Sequence, residues 1–115
     1  MAIETVENRY AGRPYRVELV FPEYTSICPL TGAPDFGTIA IRYVPGATLL
    51  EQRSLRDFLT AFRGRELFQE EAVNEILEAV VEGCAPVWCE VEGEFNTRGG
   101  MTMRAVARHG VDPGG

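Results

Sequence analysis

Along the chain, the spacing of apolar residues changes from that of strands to that of helices and back again. This order of spacings constrains the fold more than any other feature. Strand-like segments, which alternate apolar and polar residues or are rich in β-branched and aromatic ones, cover residues 15–21, 36–44, 87–95 and 101–108. Between the second and the third of them, apolar residues recur at helical spacing over residues 50–63 and 69–84. The order β-β-α-α-β-β predicts an α+β fold, in which two helices cover one face of an antiparallel sheet.

The rest of the chain is predicted to be short connections and loose ends. No repeat, linker or low-complexity tract interrupts residues 1–115, which predicts a single domain. The polar segment 1–13 and the segment 109–115, rich in glycine and proline, are predicted to be loose. Residues 96–100 end in two glycines and suit a hairpin connection. The sheet has open edges, and we expect copies of the chain to cover them by self-association.

Composition excludes several classes of function. The net charge of −6 argues against direct nucleic-acid binding, which normally requires a basic face. No stretch approaches the ~20 apolar residues of a membrane helix, and the N-terminus lacks a secretory pattern, so we expect a cytoplasmic protein without a membrane partner. The three cysteines lack CxxC spacing and the chain has one histidine. Neither a disulfide framework nor a metal site is therefore expected.

Other notable side chains have ordinary structural explanations. Cys84 and Cys89 fall on apolar faces of the second helix and the third strand, where free cysteine usually serves as a small core residue. The opposite side of that strand carries a tryptophan and three acidic residues: Trp88, Glu90, Glu92 and Glu94. We expect this second side to face solvent or a neighbouring copy.

The segment 22–36, between the first two strands, carries a thiol and a carboxylate, Cys28 and Asp35. Its prolines and Gly32 predict an irregular, shaped loop, and such loops often carry function. A cysteine nucleophile must lose its proton, and a neighbouring carboxylate can take that proton and later return it. The alternative is structural: Cys28 would be a small core residue and Asp35 a turn former.

Four stretches in this order resemble the 7-cyano-7-deazaguanine reductases, the NADPH-dependent nitrile reductases of queuosine biosynthesis. The run TSICPLTGAPDFGTI, residues 25–39, resembles their active-site segment. Residues 51–58 resemble their cofactor signature, residues 62–70 their substrate-gripping segment, and residues 95–100 their F-T-P-R-G-G hairpin. The resemblance covers most of residues 22–104 and implies the tunnelling fold, whose order of elements is the one that the hydrophobic periods predict.

The resemblance also implies roles for individual residues. Cys28 would attack the nitrile carbon to form a covalent thioimide, and Asp35 would protonate the nitrogen. The implied substrate-binding residues are Leu50, Glu51, Gln52, Gln69 and Glu70, and the implied ligands of the NADPH phosphates are Arg53, Arg56 and Arg98. Two NADPH would be used in sequence, because a nitrile needs two hydrides to become a primary amine. The implied assembly is a ring or a pair of stacked rings.

The chain departs from the family pattern at three places, and two rival functions stay open. Gln52 and Asp57 replace a serine and a leucine of the cofactor signature. Gln69 stands where well-known members have histidine, and Ala72 stands where some have a second cysteine, so no disulfide protecting Cys28 is expected. One rival is a transferase that uses the same thioimide on a base in tRNA, adds ammonia and needs no NADPH. The other is a non-catalytic purine-binding oligomer. The three arginines favour reduction, and the presence of both Cys28 and Asp35 favours catalysis.

Overall fold

The computed structural model describes residues 3–114. In chain order, the elements within this range are β1 (Thr5–Glu7), β2 (Val17–Ile27), β3 (Pro34–Val44), β4 (Thr48–Leu50), α1 (Gln52–Thr60), α2 (Gln69–Cys84), β5 (Trp88–Arg98) and β6 (Met101–Gly110). Strands β2-β3-β5-β6 form an antiparallel sheet in that order, and β1 pairs with β4. The predicted α+β class and β-β-α-α-β-β order are confirmed, with β1 and β4 as additions. No helix within residues 3–114 has the length and apolarity needed to cross a bilayer.

One face of the sheet and the inner sides of the helices form the core. The alternation in β3 places Ile39, Ile41 and Tyr43 on this face, each at most 1% exposed. From α2, Val73 and Ile76 pack into the same cluster, because helical spacing puts them on one side of the helix. Burying one such side chain contributes about 1.5–3 kcal/mol, so this face holds the helices on the sheet.

The expectation of loose ends is wrong for much of the first segment. Residues Thr5–Glu7 pair with β4, and Ile3 and Asn8 are buried. Polar groups of the segment are fixed by distant partners; for example, the Glu4 backbone N–H donates to Ser54 Oγ at 2.8 Å. Local sequence carries no sign of this strand, because its pairing with β4 is tertiary. At the other end, β6 runs to Gly110 and so includes two residues expected to be loose. Residues 1, 2 and 115, which belong to the same expectation, lie outside the described range.

Strand β2 is longer than predicted. Local signals end it before Pro22, yet pairing with β3 continues to Ile27. The register slips by one residue between Phe21 and Tyr24, which is a β-bulge, and proline is tolerated at such a bulge on an edge strand. The segment predicted to be an irregular loop is therefore mostly paired strand, with only residues 28–33 left as a turn.

The outer face of the sheet is charged, but Trp88 does not belong to its exposed part. Trp88 is 5% exposed, and the Arg16 guanidinium carbon lies 4.7 Å from the centre of its ring. The expectation that Trp88 faces solvent or a neighbouring copy is therefore wrong. Arg16, which directly precedes β2, covers its ring within the same chain.

A row of paired residues crosses the outer face with alternating charge: Glu18, Arg42, Glu90 and Arg108. The Arg42 guanidinium donates to Glu90 at 3.0 Å, and Arg108 donates to the other oxygen of that carboxylate at 2.7 Å. Opposite charges on directly paired residues favour one register over its alternatives. The row ends in a carboxylate at the β2 edge and a guanidinium at the β6 edge.

Candidate active site

Cys28 and Asp35 lie at the two sides of the tight turn that joins β2 and β3. The Cys28 N–H donates to the Ala33 carbonyl at 2.9 Å, and the Gly32 N–H donates to the Cys28 carbonyl at 2.9 Å. Gly32 has a φ of 73°, a left-handed conformation that glycine adopts without steric cost. Below the turn, Asp35 is the direct register partner of Ser26. The backbone pairing therefore brings the thiol and the carboxylate to one end of the sheet.

Two β-bulges turn side chains at this end of the sheet toward the face that the helices cover. The bulge in β2 puts Tyr24 on the same face as Phe21, and the alternation continues to Ser26. On β3, Asp35 shares the face of Ile39 because side chains two apart point the same way. The second bulge lies in β5 between Phe95 and Arg98. Asp35 is consequently buried, at 5% exposure.

The start of α2 is fixed beside Cys28 by backbone hydrogen bonds. The Ile27 N–H donates to the Arg65 carbonyl at 2.8 Å, and the Leu67 N–H donates to the Ile27 carbonyl at 3.2 Å. The Glu71 carboxylate then accepts the Phe68 N–H at 2.9 Å, which satisfies one of the N–H groups that a helix start leaves free. This attachment sets the first residues of α2 next to the turn that carries Cys28.

The result is one groove with a volume of about 300 Å³. Five of the residues singled out in the sequence line it: Cys28, Asp35, Gln69, Glu70 and Arg98. Sequence reasoning missed five others: Thr31, Phe68, Asn96, Met101 and Met103. Phe68 could have been found, because it directly precedes Gln69 and Glu70 in the segment that resembles the family. The two methionines carry no such signal, since in the sequence they are ordinary members of an alternating strand.

The remaining predicted site residues lie elsewhere in the chain. Leu50 is buried in β4, and Gln52 and Arg56 line a second groove of about 120 Å³ beside β2. Glu51 caps α1, accepting the N–H groups of Arg53 and Ser54 at 2.8 Å each. These hydrogen bonds, with that of Ser54 first, lower the pKa of the Glu51 carboxyl. Within a single chain, Gln52 and Arg56 therefore lie apart from the groove that Cys28 and Asp35 line.

The electrostatics of Cys28 favour its thiolate. Polar groups beside the sulfur lower the Cys28 pKa, first the Thr31 side chain and then the backbone N–H groups of Thr31 and Leu30, against the opposing effects of desolvation and then of Asp35. Burial has the opposite effect on the other thiols, raising the pKa of Cys84 to about 11 and that of Cys89 to about 12. All three thiols lie in the described range and are unpaired. The thiolate is the nucleophilic form, so Cys28 has the environment that best suits a nucleophile among the three thiols.

Replacing Thr31 with valine is expected to weaken Cys28 as a nucleophile near neutral pH. The change removes the largest cause of the lowered pKa, so the pH midpoint of Cys28 alkylation by iodoacetamide should rise. Intact mass spectrometry at a series of pH values measures the rate of Cys28 alkylation, and the midpoint is read from the dependence of this rate on pH. Thr60→Val, an exposed change at the end of α1, is the matched control and should leave the midpoint in place. An unchanged midpoint in Thr31→Val would show that the hydroxyl does not set the thiolate population.

The Asp35 carboxylate has an arginine partner. Nη1 of Arg98 donates to Asp35 Oδ1 at 2.6 Å and to the Pro34 carbonyl at 3.1 Å. The Asp35 side chain is 8% exposed and that of Arg98 is 40% exposed. A carboxylate this buried needs such a partner. The groove therefore combines a thiolate-forming cysteine, a paired carboxylate, an aromatic ring on Phe68 and a second carboxylate on Glu70. No cluster of three His, Cys, Asp or Glu side chains suited to a metal ion occurs within residues 3–114.

Comparison with solved structures supports the fold. The crystal structure of "the archaeosine synthase QueF-Like in the apo form" superposes with a TM-score of 0.75 and 24% sequence identity, covering 87% of this chain and 96% of the other. At this identity the likeness is one of fold, and it confirms the predicted tunnelling fold.

Sequence comparison then gives the family. A family model described as "QueF-like protein" matches residues 34–113. A protein of Anaeromyxobacter sp. (strain Fw109-5), named "NADPH-dependent 7-cyano-7-deazaguanine reductase", is 42% identical over 113 residues, which are 98% of this chain and 93% of that protein. A protein of Chlorobaculum tepidum with the same name is 45% identical over 100 residues, 87% of this chain and 86% of its own length. With relatives this similar over nearly its whole length, and with the family model spanning most of its strands and helices, the chain belongs to the family of QueF-like proteins.

Proposed function

We propose that this chain is an NADPH-dependent reductase that converts the nitrile of 7-cyano-7-deazaguanine to the primary amine of 7-aminomethyl-7-deazaguanine, a step of queuosine biosynthesis. The observation that carries the proposal is the groove in which Cys28 and Asp35 lie together with Phe68 and Glu70. The names of relatives that are 41–45% identical support the substrate and the cofactor. The same proposal places the reaction in the cytoplasm, where thiols such as Cys28 stay reduced.

Cys28 and Asp35 would perform the covalent step. As Cys28 attacks, a C–S bond forms and one C–N π bond breaks, and its electron pair moves to the nitrogen. Asp35 takes the thiol proton and passes it to that nitrogen, which gives a thioimide. NADPH, when bound, supplies the two hydrides that the change from nitrile to amine needs. After the first reduction Cys28 leaves as a thiolate, taking back the C–S electron pair, and Asp35 relays a second proton from solvent to the nitrogen.

The first turn of α2 would hold the base. A 7-deazaguanine presents adjacent N–H donors on its pyrimidine edge, and the Glu70 carboxylate can accept them. Gln69 can both donate and accept but cannot change charge, so it can orient the base without moving a proton. The Phe68 ring is 44% exposed and offers a flat apolar surface on which a base can stack. These residues suit a purine-like base as substrate.

The arginines of α1 fit the phosphates of NADPH. Arg53 and Arg56 are exposed, and neither makes a salt bridge to a carboxylate within residues 3–114. A guanidinium in this position can bind a phosphate in a bidentate manner. We propose that these two residues hold the cofactor.

We further propose that copies of the chain pair β6 of one with β2 of the next. Both strands are sheet edges in the described structure, and neighbouring strands of the sheet alternate in direction, so this pairing continues the antiparallel order. It would bring Arg108, which is 63% exposed, toward Glu18 of the next copy, which is 50% exposed, and so extend the charged row. Such a head-to-tail contact closes into a ring when the rotation from copy to copy adds up to a full turn. It also brings the groove of one copy, which Met101 and Met103 of β6 line, near α1 of the other.

The proposed activity is tested by adding 7-cyano-7-deazaguanine and NADPH to the purified protein. We expect NADPH absorbance to fall, with two NADPH consumed for each nitrile, and the amine product to appear by mass spectrometry. The nitrile alone should give a covalent adduct in the intact mass. An adduct without NADPH consumption would favour the amidine-forming transferase, and the absence of any adduct would favour a non-catalytic purine-binding oligomer.

A further inference from the structure

Within residues 3–114, Arg98 is the side chain that hydrogen-bonds to Asp35, the general acid of the proposed reaction. Its Nη1 bridges Asp35 Oδ1 and the Pro34 carbonyl, so one atom fixes both the carboxylate and the backbone that precedes it. Within residues 3–114 the other carboxylate oxygen, Oδ2, has no hydrogen-bond partner. No buried polar side-chain atom in this range lacks a partner, so Oδ2 keeps some exposed surface, and Asp35 is one of the residues that line the groove.

The chain is shaped to place Arg98 there. The bulge in β5 puts an extra residue between Phe95 and Arg98, so Arg98 becomes the register partner of Met101 on the face that Met103 shares. Without that extra residue the alternation would turn Arg98 to the opposite face. The Gly99-Gly100 turn that follows has φ angles of 58° and 82°, which only residues tolerant of left-handed conformations adopt. The bulge and the turn together direct the Arg98 guanidinium toward Pro34 and Asp35, the first two residues of β3.

From this geometry we infer that Arg98 is a positioning residue for Asp35, an inference that rests on the proposed function. By bonding to Oδ1, Arg98 holds the carboxylate in one orientation and leaves Oδ2 for the proton that passes between Cys28 and the substrate nitrogen. A proton transfer depends steeply on such alignment. This role acts in the covalent step with the nitrile, before any hydride is transferred, and it differs from the binding of a cofactor phosphate.

The test measures the rate of adduct formation from the nitrile alone, without NADPH. We expect Arg98→Ala to slow adduct formation roughly 10- to 100-fold, with partial recovery in Arg98→Lys and on addition of guanidinium to Arg98→Ala. In an Asp35→Asn background the same change should alter the rate by no more than about 2-fold, because Arg98 then has no carboxylate to align. Arg104→Ala removes an arginine whose partners, Glu92 and Glu94, lie outside the groove, and it should leave the adduct rate unchanged.

Two results would overturn the inference while leaving the proposed function in place. One is an unaltered adduct rate in Arg98→Ala accompanied by a raised KM for NADPH, which would make Arg98 a phosphate ligand only. The other is an effect of Arg98→Ala that is equally large with Asp35 and with Asn at position 35. If the unaltered chain forms no adduct, the proposed function fails, and this inference fails with it.

Discussion

Replacing Cys28 with alanine should abolish covalent capture of the nitrile and lower turnover by more than about 10⁴-fold. In the proposed mechanism the Cys28 sulfur forms the bond to the nitrile carbon, and neither of the other two thiols is placed to replace it. Cys84 and Cys89 are buried, at 3% and 0% exposure, and burial raises the pKa of each thiol. Intact mass spectrometry after incubation with the nitrile, together with NADPH absorbance, measures both effects.

Cys84→Ala is the matched control for this loss. It removes a thiol of the same chemistry from the core, far from the groove that Cys28 lines. We expect it to cost some stability through the small cavity it leaves but to keep the adduct and the consumption of NADPH. An adduct of the same mass on Cys28→Ala would mean that another nucleophile does the chemistry, and the proposed mechanism would be wrong.

Mixing two inactive variants should restore activity if neighbouring copies share the site. Cys28→Ala lacks the nucleophile, and the double variant Arg53→Ala/Arg56→Ala lacks the proposed phosphate ligands on α1. When both are co-expressed and assemble at random, about one quarter of the head-to-tail contacts pair an intact groove with an intact α1. We therefore expect activity to rise from near zero to about one quarter of that of the unaltered protein, measured as NADPH consumption. The exposed positions of the two arginines make a loss of folding a minor effect.

Co-expression of Cys28→Ala with Asp35→Asn provides the control. Cys28 and Asp35 line the same groove of one chain, so no combination of these two variants rebuilds an intact site, and the mixture should stay inactive. Recovery in this second mixture would contradict the placement of both residues in one chain. If neither mixture recovers although both assemble, the active site belongs to a single chain and the proposed contact between copies is wrong.

Most of the secondary structure follows from local patterns in the sequence. Alternation predicts β3 around Ile39 and Ile41, and helical spacing predicts α2 with the bounds that the structure shows, Gln69–Cys84. In these elements the apolar residues of the repeat lie on the buried face. Strand β2 is different, because Pro22 ends the local pattern while the pairing with β3 continues across a bulge.

The candidate site, too, can be predicted from the sequence only in part. Cys28 and Asp35 could be singled out from their chemistry and from the resemblance of their segment to a known family. The alignment of Arg98 with Asp35 could not, because it depends on a bulge in β5 whose existence follows from the register with β6. Phe68 enters the groove because residues 65–67 pair with Ile27 across 38 to 40 positions of sequence, which no local pattern encodes.

The amino-acid sequence is enough to predict the order of the four long strands and the two helices, and with it the class of fold. These follow from side-chain periodicity, which is a local property, whereas Cys28 and Asp35 are indicated by the resemblance of their segment to a known family. Three other features depend on tertiary pairing: which side chains share the groove, the cover that Arg16 gives to Trp88, and the position of α1 outside the groove of its own chain. Those outcomes depend on strand register and on bulges, where a shift of one residue moves a side chain to the opposite face of the sheet.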